Sequence, residues 1–347
     1  MSLKVHMQLV SITCILVCIT FSAHSMLPHG KACPRHDELE DINSLLQLQP
    51  SHKVRQGHAA SISVPLSRSG PMSPNDIYTL NDGYRMPVIG LGTYQMEPGN
   101  ETYSAVLAAL KLGYRMIDTA KIYGNEESVG QAIRDSGIPR SDIWVSTKVW
   151  NDDHGYDKAI QAGMKSNRTL GLGYIDLLLI HWPTGGKIVE TYKALMHLRD
   201  IGVTRSIGVS NFEISDLYML QGLPTPAVNQ IQLHPFNYKS SSLFVEARFP
   251  LVEYCNAAQI QVQAYGSVLT GRDDLLSQAD DVGAHYNKTA YQVMLRWALD
   301  KNFQVIPKST HIDYLADNFD VFDFTLTTED TDLLESLSFT GIPLYWR

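Results

Sequence analysis

The sequence predicts an α/β protein whose main domain is a (β/α)₈ TIM barrel covering residues 76–347. Short apolar runs alternate with helix-sized segments from residue 76 onward, and glycine follows several of the latter, as at helix ends. The segment is about 270 residues long, a usual size for such a barrel. A doubly wound sheet is the alternative, but Gly90-Leu-Gly92 lacks the third glycine of the dinucleotide-binding fingerprint.

The predicted strands are short and rich in apolar residues. The clearest is Ile175-Asp-Leu-Leu-Leu-Ile180, a near-continuous apolar run typical of parallel strands that are buried on both faces. Ahead of them, Asn81-Asp82-Gly83 predicts the turn of an N-terminal β-hairpin. The predicted strands are 88–92, 115–118, 143–148, 175–181, 206–209, 227–232, 261–264 and 304–307.

Helices are predicted between the strands from the spacing of their apolar residues. Residues 101–112, for example, have apolar side chains three and four positions apart. Gly113, Gly137 and Gly202 lie just past three of these segments, where a residue of positive φ ends a helix. The predicted helices are 101–112, 127–135, 158–170, 188–200 and 290–300.

The N-terminal part of the chain has a different character. Residues 1–25 resemble a signal peptide, because an apolar stretch too short to span a membrane precedes small residues. Residues 26–75 are poor in apolar periodicity and predict a linker of low order or a second targeting segment. We therefore expect the secretory pathway or an organelle. A signal anchor is an alternative, as is a cytoplasmic location if translation starts at Met26.

Composition excludes several classes of protein. The net charge of −8 lacks the basic surplus of a nucleic-acid binder. Four cysteines in 347 residues do not make a disulfide scaffold, and two of them lie in the signal-like segment. Beyond residue 25 no apolar run is long enough to span a membrane. Three glycosylation sequons, at Asn100, Asn167 and Asn287, support secretion only weakly.

Four chemically distinctive side chains stand at or just after consecutive predicted strand ends. Asp118 ends the second strand, Tyr123 follows in its loop, Lys148 ends the third strand and His181 the fourth. Because catalytic groups of such barrels lie at the carboxyl ends of the strands, we expect the four to converge. Each also has a purely structural interpretation: a buried ion pair, a packed loop tyrosine and a core histidine.

Together these four residue types suit proton donation to a carbonyl oxygen. A phenol releases its proton with a pKa of about 10, and a neighbouring ammonium held by a carboxylate favours the phenolate. A neutral imidazole can donate a hydrogen bond to the oxygen as negative charge develops on it. None of these side chains supplies a hydride, so a nicotinamide cofactor is implied.

Seven sequence motifs follow one another along the chain: Met86-Pro-Val-Ile-Gly-Leu-Gly-Thr93, Arg115-Met-Ile-Asp-Thr-Ala-Lys-Ile-Tyr-Gly-Asn-Glu126, Ser146-Thr-Lys-Val-Trp150, Asp176-Leu-Leu-Leu-Ile-His-Trp-Pro183, Ile207-Gly-Val-Ser-Asn211, Asn229-Gln-Ile-Gln-Leu-His-Pro235 and Ile306-Pro-Lys-Ser309. In order and over residues 78–337, they resemble those of the aldo-keto reductase superfamily, with the short loops of microbial and plant-like members. The resemblance implies a (β/α)₈ barrel with an N-terminal hairpin that reduces small aldehydes or ketones to alcohols with NAD(P)H.

The resemblance also implies roles for the residues at the matching positions. Tyr123 is expected to be the general acid, Lys148 to lower its pKa, Asp118 to pair with Lys148, and His181 to orient the carbonyl. Thr93 and Asp118 are expected beside the nicotinamide ribose. The remaining expected cofactor contacts are Ser210, Asn211 and Gln230 at the carboxamide, Tyr265 on the nicotinamide ring, and Gly266 and Ser267 near the pyrophosphate. Alternatively, or in addition, Ser210-Asn211 caps a helix over 213–220.

The adenosine end departs from the family pattern. Tyr314 stands where NADPH-preferring members have an arginine, and tyrosine cannot form the bidentate, charged clamp on a 2′-phosphate. We expect NADPH as cofactor, with NADH use left open, and His311 is a further candidate for the phosphate. The residues expected around the adenosine are Lys308, Ser309, Thr310, Tyr314, Asp317 and Asn318.

The substrate side is expected to be open. Tyr94 stands at a position where many members have tryptophan, and the segments 184–187 and 338–347 are short. Tyr94, Tyr123, His181 and Trp182 are the expected substrate contacts. We expect a monomer with a small-molecule carbonyl substrate, no nucleic-acid partner and no membrane association beyond the N-terminal signal. We expect no metal, since the sequence has neither H-x-H nor H-E-x-x-H. The alternative function is a non-catalytic nucleotide-binding barrel that serves as a regulatory or structural subunit.

Overall fold

The computed structural model describes residues 72–239, 247–269 and 276–336. The predicted signal-like segment 1–25 lies outside the described residues, as do most of the linker 26–75 and the C-terminal segment 338–347. Of the linker, residues 72–75 are described, and Met72 is buried in the hydrophobic core. None of the described helices is both long and apolar enough to cross a membrane.

Eight parallel strands form the central sheet, with each strand hydrogen-bonded to its neighbour in chain order. Backbone hydrogen bonds from Gly90 to Val305 (2.9 Å) and from Gly92 to Pro307 (3.0 Å) join the first strand to the last. The sheet is therefore closed, as a (β/α)₈ barrel requires. The strands are β3 Leu91–Gly92, β4 Met116–Asp118, β5 Trp144–Val149, β6 Ile175–Ile180, β7 Thr204–Ser210, β8 Val228–Gln232, β9 Gln261–Tyr265 and β10 Gln304–Val305.

The first and last barrel strands are shorter than predicted. Residues 88–92 and 304–307 were expected as strands, but regular pairing is confined to Leu91–Gly92 and Gln304–Val305. An isolated bridge between Ile89 and Val305 continues the contact between them. The backbone is thus extended and hydrogen-bonded at the closure without the continuous ladder that defines a strand.

The predicted N-terminal hairpin is present. Strands β1 Ile77–Thr79 and β2 Arg85–Pro87 pair in antiparallel fashion, and the turn between them contains Gly83 at φ +88°. A glycine tolerates this left-handed conformation without a steric penalty. Leu80 and Met86 are buried against the inward-facing side chains at the amino ends of the strands, so the hairpin packs against that end of the barrel.

The helices follow the predicted alternation and cover the outside of the sheet. Two predicted helices, 188–200 and 290–300, have the predicted bounds, and the other three begin one or two residues earlier. Gly113 adopts φ +111° at the end of its helix, as predicted. The described helices are α1 Asn100–Leu112, α2 Glu126–Asp135, α3 Tyr156–Leu170, α4 Ile188–Asp200, α5 Ile214–Tyr218, α6 Pro235–Tyr238, α7 Phe249–Ala257, α8 Ser277–Tyr286, α9 Ala290–Asp300, α10 Ile312–Phe319 and α11 Thr328–Ser336.

The continuous apolar run of β6 serves two separate cores. Leu177 and Leu179 belong to the cluster inside the barrel, where the hairpin also packs. Leu178 and Ile180 belong to the larger cluster between the sheet and the helices. Because side chains of a strand alternate between its two faces, a strand buried on both must be apolar throughout.

Candidate active site

The site lies at the carboxyl ends of the barrel strands. Asp118 is the last residue of β4, Lys148 is near the end of β5, and His181 directly follows β6. All three are buried, and Lys148 has no exposed surface. The predicted convergence of these residues is therefore present, and the hydrogen bonds below describe how each is held.

Asp118 and Lys148 form a buried ion pair. The Lys148 ammonium donates to Asp118 Oδ1 at 2.6 Å. The other carboxylate oxygen, Oδ2, accepts from Ser146 Oγ at 2.6 Å and from Gln230 Nε2 at 2.9 Å. A buried charge is costly unless its hydrogen-bonding capacity is satisfied, and three donors satisfy this carboxylate. Ser146 was not predicted as a site residue. It lies two residues before Lys148 in the same sequence motif, so both side chains point into the barrel.

The Lys148 ammonium also points towards Tyr123. It donates to the Thr119 carbonyl oxygen at 2.9 Å and lies 3.4 Å from the Tyr123 hydroxyl oxygen. Burial lowers the pKa of Lys148, and the Asp118 carboxylate opposes that shift. An ammonium has three N–H donors, so Asp118, Thr119 and Tyr123 together occupy all of them.

Burial raises the pKa of Tyr123 well above its usual value, and the Asp118 carboxylate adds to the shift. The expected effect of Lys148 is to lower the pKa of Tyr123, because a nearby ammonium favours the phenolate. The net shift is upward because a phenolate at this buried position loses its hydration. The phenol is consequently protonated at neutral pH, the form that a proton donor needs.

A buried asparagine supports the loop that carries Tyr123. Asn125 accepts from Thr119 Oγ1 at 2.7 Å and donates to the Thr93 carbonyl oxygen at 2.9 Å, with none of its surface exposed. The Tyr123 ring is 5.1 Å from the ring of Tyr94. The loop is thereby tied to the segment after β3, which fixes the phenol relative to the barrel.

His181 is neutral and enclosed by aromatic rings. Burial lowers its pKa well below the usual value, and the Lys148 ammonium lowers it further. Its ring stands edge-on to Trp150, with centroids 5.0 Å apart, and to Tyr123, 5.7 Å apart. Nδ1 is buried without a hydrogen-bond partner among the described residues. Trp150 was not predicted as a site residue, but it ends the motif that contains Lys148.

The residues expected at the carboxamide are brought together. Ser210 Oγ donates to the Gln230 carbonyl oxygen at 2.9 Å, and Asn211 Nδ2 donates to the His181 carbonyl oxygen at 3.0 Å. Tyr265 donates its hydroxyl proton to Asn211 Oδ1 at 2.8 Å. The three predicted residues and Tyr265 are therefore linked by hydrogen bonds next to His181.

The alternative role of Ser210-Asn211 as a helix cap is wrong. The helix expected over 213–220 is α5, Ile214–Tyr218, and its N-cap is Glu213, which forms a reciprocal capping box with Asp216. The side chains of Ser210 and Asn211 instead hydrogen-bond to residues after β6 and on β8. Their polar groups are thus committed to the site and not to the helix end.

Other expected cofactor residues lie along the same end of the barrel. Thr93 Oγ1 donates to the Asp118 carbonyl oxygen at 3.0 Å. Gly266, at φ +64°, and the buried Ser267 follow the end of β9. Both lie past a strand end, where the loops of this fold form their binding sites.

The expected adenosine residues surround the beginning of α10. Lys308, Tyr314 and Asp317 are exposed, and Tyr314 retains 61 % of its surface. Ser309 and Asn318 are buried, and Thr310 is partly buried. The His311 backbone N–H donates to Ser309 Oγ at 3.1 Å, and the His311 ring lies edge-on to Tyr314.

The expected substrate contacts differ in exposure. Tyr94 is exposed, Trp182 is partly buried, and Tyr123 lies between Tyr94 and His181. Helix α4 begins at Ile188, so the loop after His181 is short, as predicted. Within the described residues, no three His, Cys, Asp or Glu side chains are grouped so as to hold a metal ion.

Comparison with known proteins identifies the family. Residues 88–338 match the model of the aldo/keto reductase family. A glyoxal reductase of Bacillus subtilis is 40% identical over 273 residues, which is 77% of this chain and 95% of the relative. A 9,11-endoperoxide prostaglandin H2 reductase of Trypanosoma cruzi is 41% identical over 266 residues, 75% of this chain and 90% of the relative.

Solved structures give the same result. An aldo/keto reductase from Brucella melitensis has a TM-score of 0.69 and 40% identity, covering 76% of this chain and 99% of that chain. An aldo-keto reductase from Bombyx mori, solved in complex with NADP, has a TM-score of 0.68 and 34% identity, covering 76% and 93%.

The chain belongs to the aldo/keto reductase family. It is an NAD(P)H-dependent oxidoreductase that reduces carbonyl groups, as the resemblance implied. The alternative of a non-catalytic nucleotide-binding subunit is not favoured.

Proposed function

We propose that this protein reduces small aldehydes and ketones to alcohols, with NADPH as the preferred hydride donor and Tyr123 as the proton donor. The observation that carries the proposal is the position of the Tyr123 hydroxyl. It lies 3.4 Å from the Lys148 ammonium, which is itself fully buried and paired with Asp118. Beside it stands the neutral His181.

The proton transfer follows from these groups. Tyr123 donates its hydroxyl proton to the carbonyl oxygen, and the Lys148 ammonium stabilises the phenolate that is left. Asp118 keeps Lys148 charged in a buried position. Because Nδ1 of His181 is buried without an acceptor, the neutral ring avoids an unpaired N–H by carrying its proton on Nε2, which can donate to the substrate oxygen.

The donor and acceptor groups near His181 fit a nicotinamide carboxamide. An amide offers both N–H donors and a carbonyl acceptor, and Ser210, Asn211 and Gln230 provide hydroxyl and amide groups that can pair with both. Tyr265 is partly exposed next to them and can stack on the ring. When bound, the cofactor supplies the hydride that no side chain can supply.

The preference for NADPH rests on the residues around α10. We assign Lys308, Ser309 and Thr310 to the 2′-phosphate and Tyr314 to the adenine face, with Asp317 and Asn318 at the adenine edge. A structure of Gox0644, 38% identical to this chain, was solved with NADPH, which supports this cofactor. Tyr314 provides no charged clamp, so we expect NADH to be used at a lower rate.

The substrate class is proposed from the walls of the site and from the relatives. Tyr94 and Trp182 offer apolar faces, and the loop before α4 is short, which leaves the site open to small molecules. The Bacillus subtilis relative is named a glyoxal reductase, which supports a small aldehyde as substrate. We further propose that the protein acts as a monomer.

Initial rates of NADPH and NADH oxidation by the full chain test the proposal, with glyoxal, simple aldehydes and ketones as substrates. Tyr123→Phe should lower reduction by about 10²- to 10⁴-fold, the usual contribution of a general acid, while the dissociation constant of NADPH is unchanged. Tyr218→Phe, which alters an exposed phenol on α5, is the matched control. Retained turnover in Tyr123→Phe would show that another group donates the proton.

A further inference from the structure

Three glutamines stand side by side inside the barrel, on three neighbouring strands. Gln230 on β8 is in register with Gln263 on β9, and Gln263 is in register with Gln304 on β10. All three are buried, with at most 3 % of their surface exposed. Buried amides are found where they are hydrogen-bonded, so their partners indicate what the row does.

Among the described residues, the side-chain amide of Gln230 acts only as a hydrogen-bond donor to its neighbours. Its Nε2 donates to Asp118 Oδ2 at 2.9 Å and to Oε1 of Gln263. An amide NH₂ group has two N–H donors, and both are thereby used. No described residue donates a hydrogen bond to Oε1 of Gln230, so that oxygen is left as the amide's one uncommitted group.

We propose that Gln263 is a positioning residue, which fixes the Gln230 amide so that Oε1 accepts a hydrogen bond from the N–H of the nicotinamide carboxamide. This inference rests on the proposed placement of the carboxamide at Gln230. The last torsion of a glutamine side chain is only weakly restrained by itself. One acceptor, Asp118, leaves the amide plane free to turn about that hydrogen bond, whereas a second acceptor on the adjacent strand holds the plane.

Gln304 provides a matched control from the same row. Its Nε2 donates to the Val305 carbonyl oxygen at 3.0 Å and contacts the Met116 sulfur, and it makes no hydrogen bond to Gln230. A Gln→Met change there removes the same chemical group from the same layer of the barrel. It leaves both acceptors of Gln230 in place.

The test measures binding of NADP⁺ and of its 3-acetylpyridine analogue, in which a methyl ketone replaces the carboxamide and removes its N–H. The full chain should bind NADP⁺ about 5- to 10-fold more tightly than the analogue, the effect of one hydrogen bond to a buried acceptor. In Gln263→Met the ratio should fall to about 2-fold, because the Gln230 amide is no longer held. Gln304→Met should keep the ratio, and Gln263→Glu, which retains an acceptor oxygen, should restore it.

Three results would overturn the inference: an unchanged ratio in Gln263→Met, an equal loss in Gln304→Met, or no discrimination by the unmodified protein. Should methionine at position 263 prevent folding, Gln263→Leu is a second variant without an acceptor and is judged by the same ratio. The proposed function fails by a different readout, the turnover of Tyr123→Phe. Active enzyme that does not discriminate between the two nucleotides would refute the role of Gln263 alone.

Discussion

Inside the barrel, the two ends are built from the same strands but differ in chemistry. At the amino end, Leu80 and Met86 of the hairpin pack against Trp144 and Leu177 in an apolar cluster. At the carboxyl end, the inward-facing positions hold charged and amide groups centred on Asp118. Buried apolar contacts stabilise the fold at one end, while the other end places groups that are costly to bury.

Strand β5, only six residues long, contributes side chains to both ends of the barrel interior. Its inward-facing side chains are Trp144, Ser146 and Lys148, which lead from the apolar cluster to the centre of the site. The alternate residues Val145 and Val149 face the helices and belong to the outer core. One strand can therefore serve stability and reactivity at once, because its side chains alternate in direction and its two ends lie in different surroundings.

The largest effect is expected from a change at Lys148, because this residue matters for both the stability of the fold and the reaction. Lys148→Met leaves the Asp118 carboxylate buried without its cation, so we expect unfolding free energy to fall by about 3–5 kcal/mol and reduction to be abolished. Urea unfolding and initial rates measure the two effects. The double variant with Asp118→Asn should regain most of the stability but no activity. If stability is not regained, the loss has a cause other than the unpaired carboxylate.

A change at the opposite end should affect stability alone. Met86 is fully buried beneath the barrel, and Met86→Ala should cost about 2–5 kcal/mol by opening a cavity. The turnover number and KM for a small aldehyde should stay the same at temperatures where the variant is folded. Tyr84→Ala, an exposed change on the same hairpin, is the control and should alter neither. A lower turnover number in folded Met86→Ala would contradict the separation of the two ends.

At the exposed edge of the carboxyl end, a substitution should change the cofactor preference and leave the stability of the fold unchanged. Tyr314→Arg adds a charged donor for a 2′-phosphate, so we expect the preference for NADPH over NADH to rise about 5- to 10-fold. The melting temperature should not move, since Tyr314 is mostly exposed. Tyr314→Phe keeps the aromatic ring and adds no charge, so it should leave the preference for NADPH over NADH unchanged. An unchanged preference in the arginine variant would show that position 314 does not face the phosphate.

The smallest expected effect on activity is the change in kcat/KM when the pH is lowered through 6.5. Because the pKa of His181 lies well below its usual value, the neutral ring persists as pH falls through 6.5, and kcat/KM should remain level there. Stability should nevertheless decrease below pH 6.5, since the unfolded chain binds protons that His181 and His234, with its pKa lowered to about 3, do not bind when folded. A fall of kcat/KM with an apparent pKa near 6.5 would show that His181 titrates normally.

The sequence predicted the strands and the convergence of the four central residues for identifiable reasons. Strands such as Ile175–Ile180 are apolar throughout, and the hairpin turn and helix ends carry glycines where positive φ is needed. Lys148 and His181 were found because they follow apolar runs at strand ends, where side chains of this fold meet. Helices α6, α7, α8, α10 and α11 were not predicted, and α6, of one turn, is too short to show a helical period.

Other features depend on contacts between distant segments and have no local signature. Ser146 and Gln263 look like ordinary polar residues in the sequence, and only the closed barrel brings them to Asp118 and Gln230. The net shift of the Tyr123 pKa has no local signature either, because the desolvation of a phenol depends on what surrounds it in three dimensions.

The sequence by itself therefore determined the class of fold and the family, and it singled out the four candidate catalytic residues. These follow from local periodicity, turn residues and motif order, which are properties of the chain alone. Only the tertiary structure decided which hydrogen-bond partners each buried group has, and in which protonation state His181 and Tyr123 stand. The physical reason is that burial and pairing are set by neighbours far away in sequence, and they determine the free energy of a charge inside the barrel.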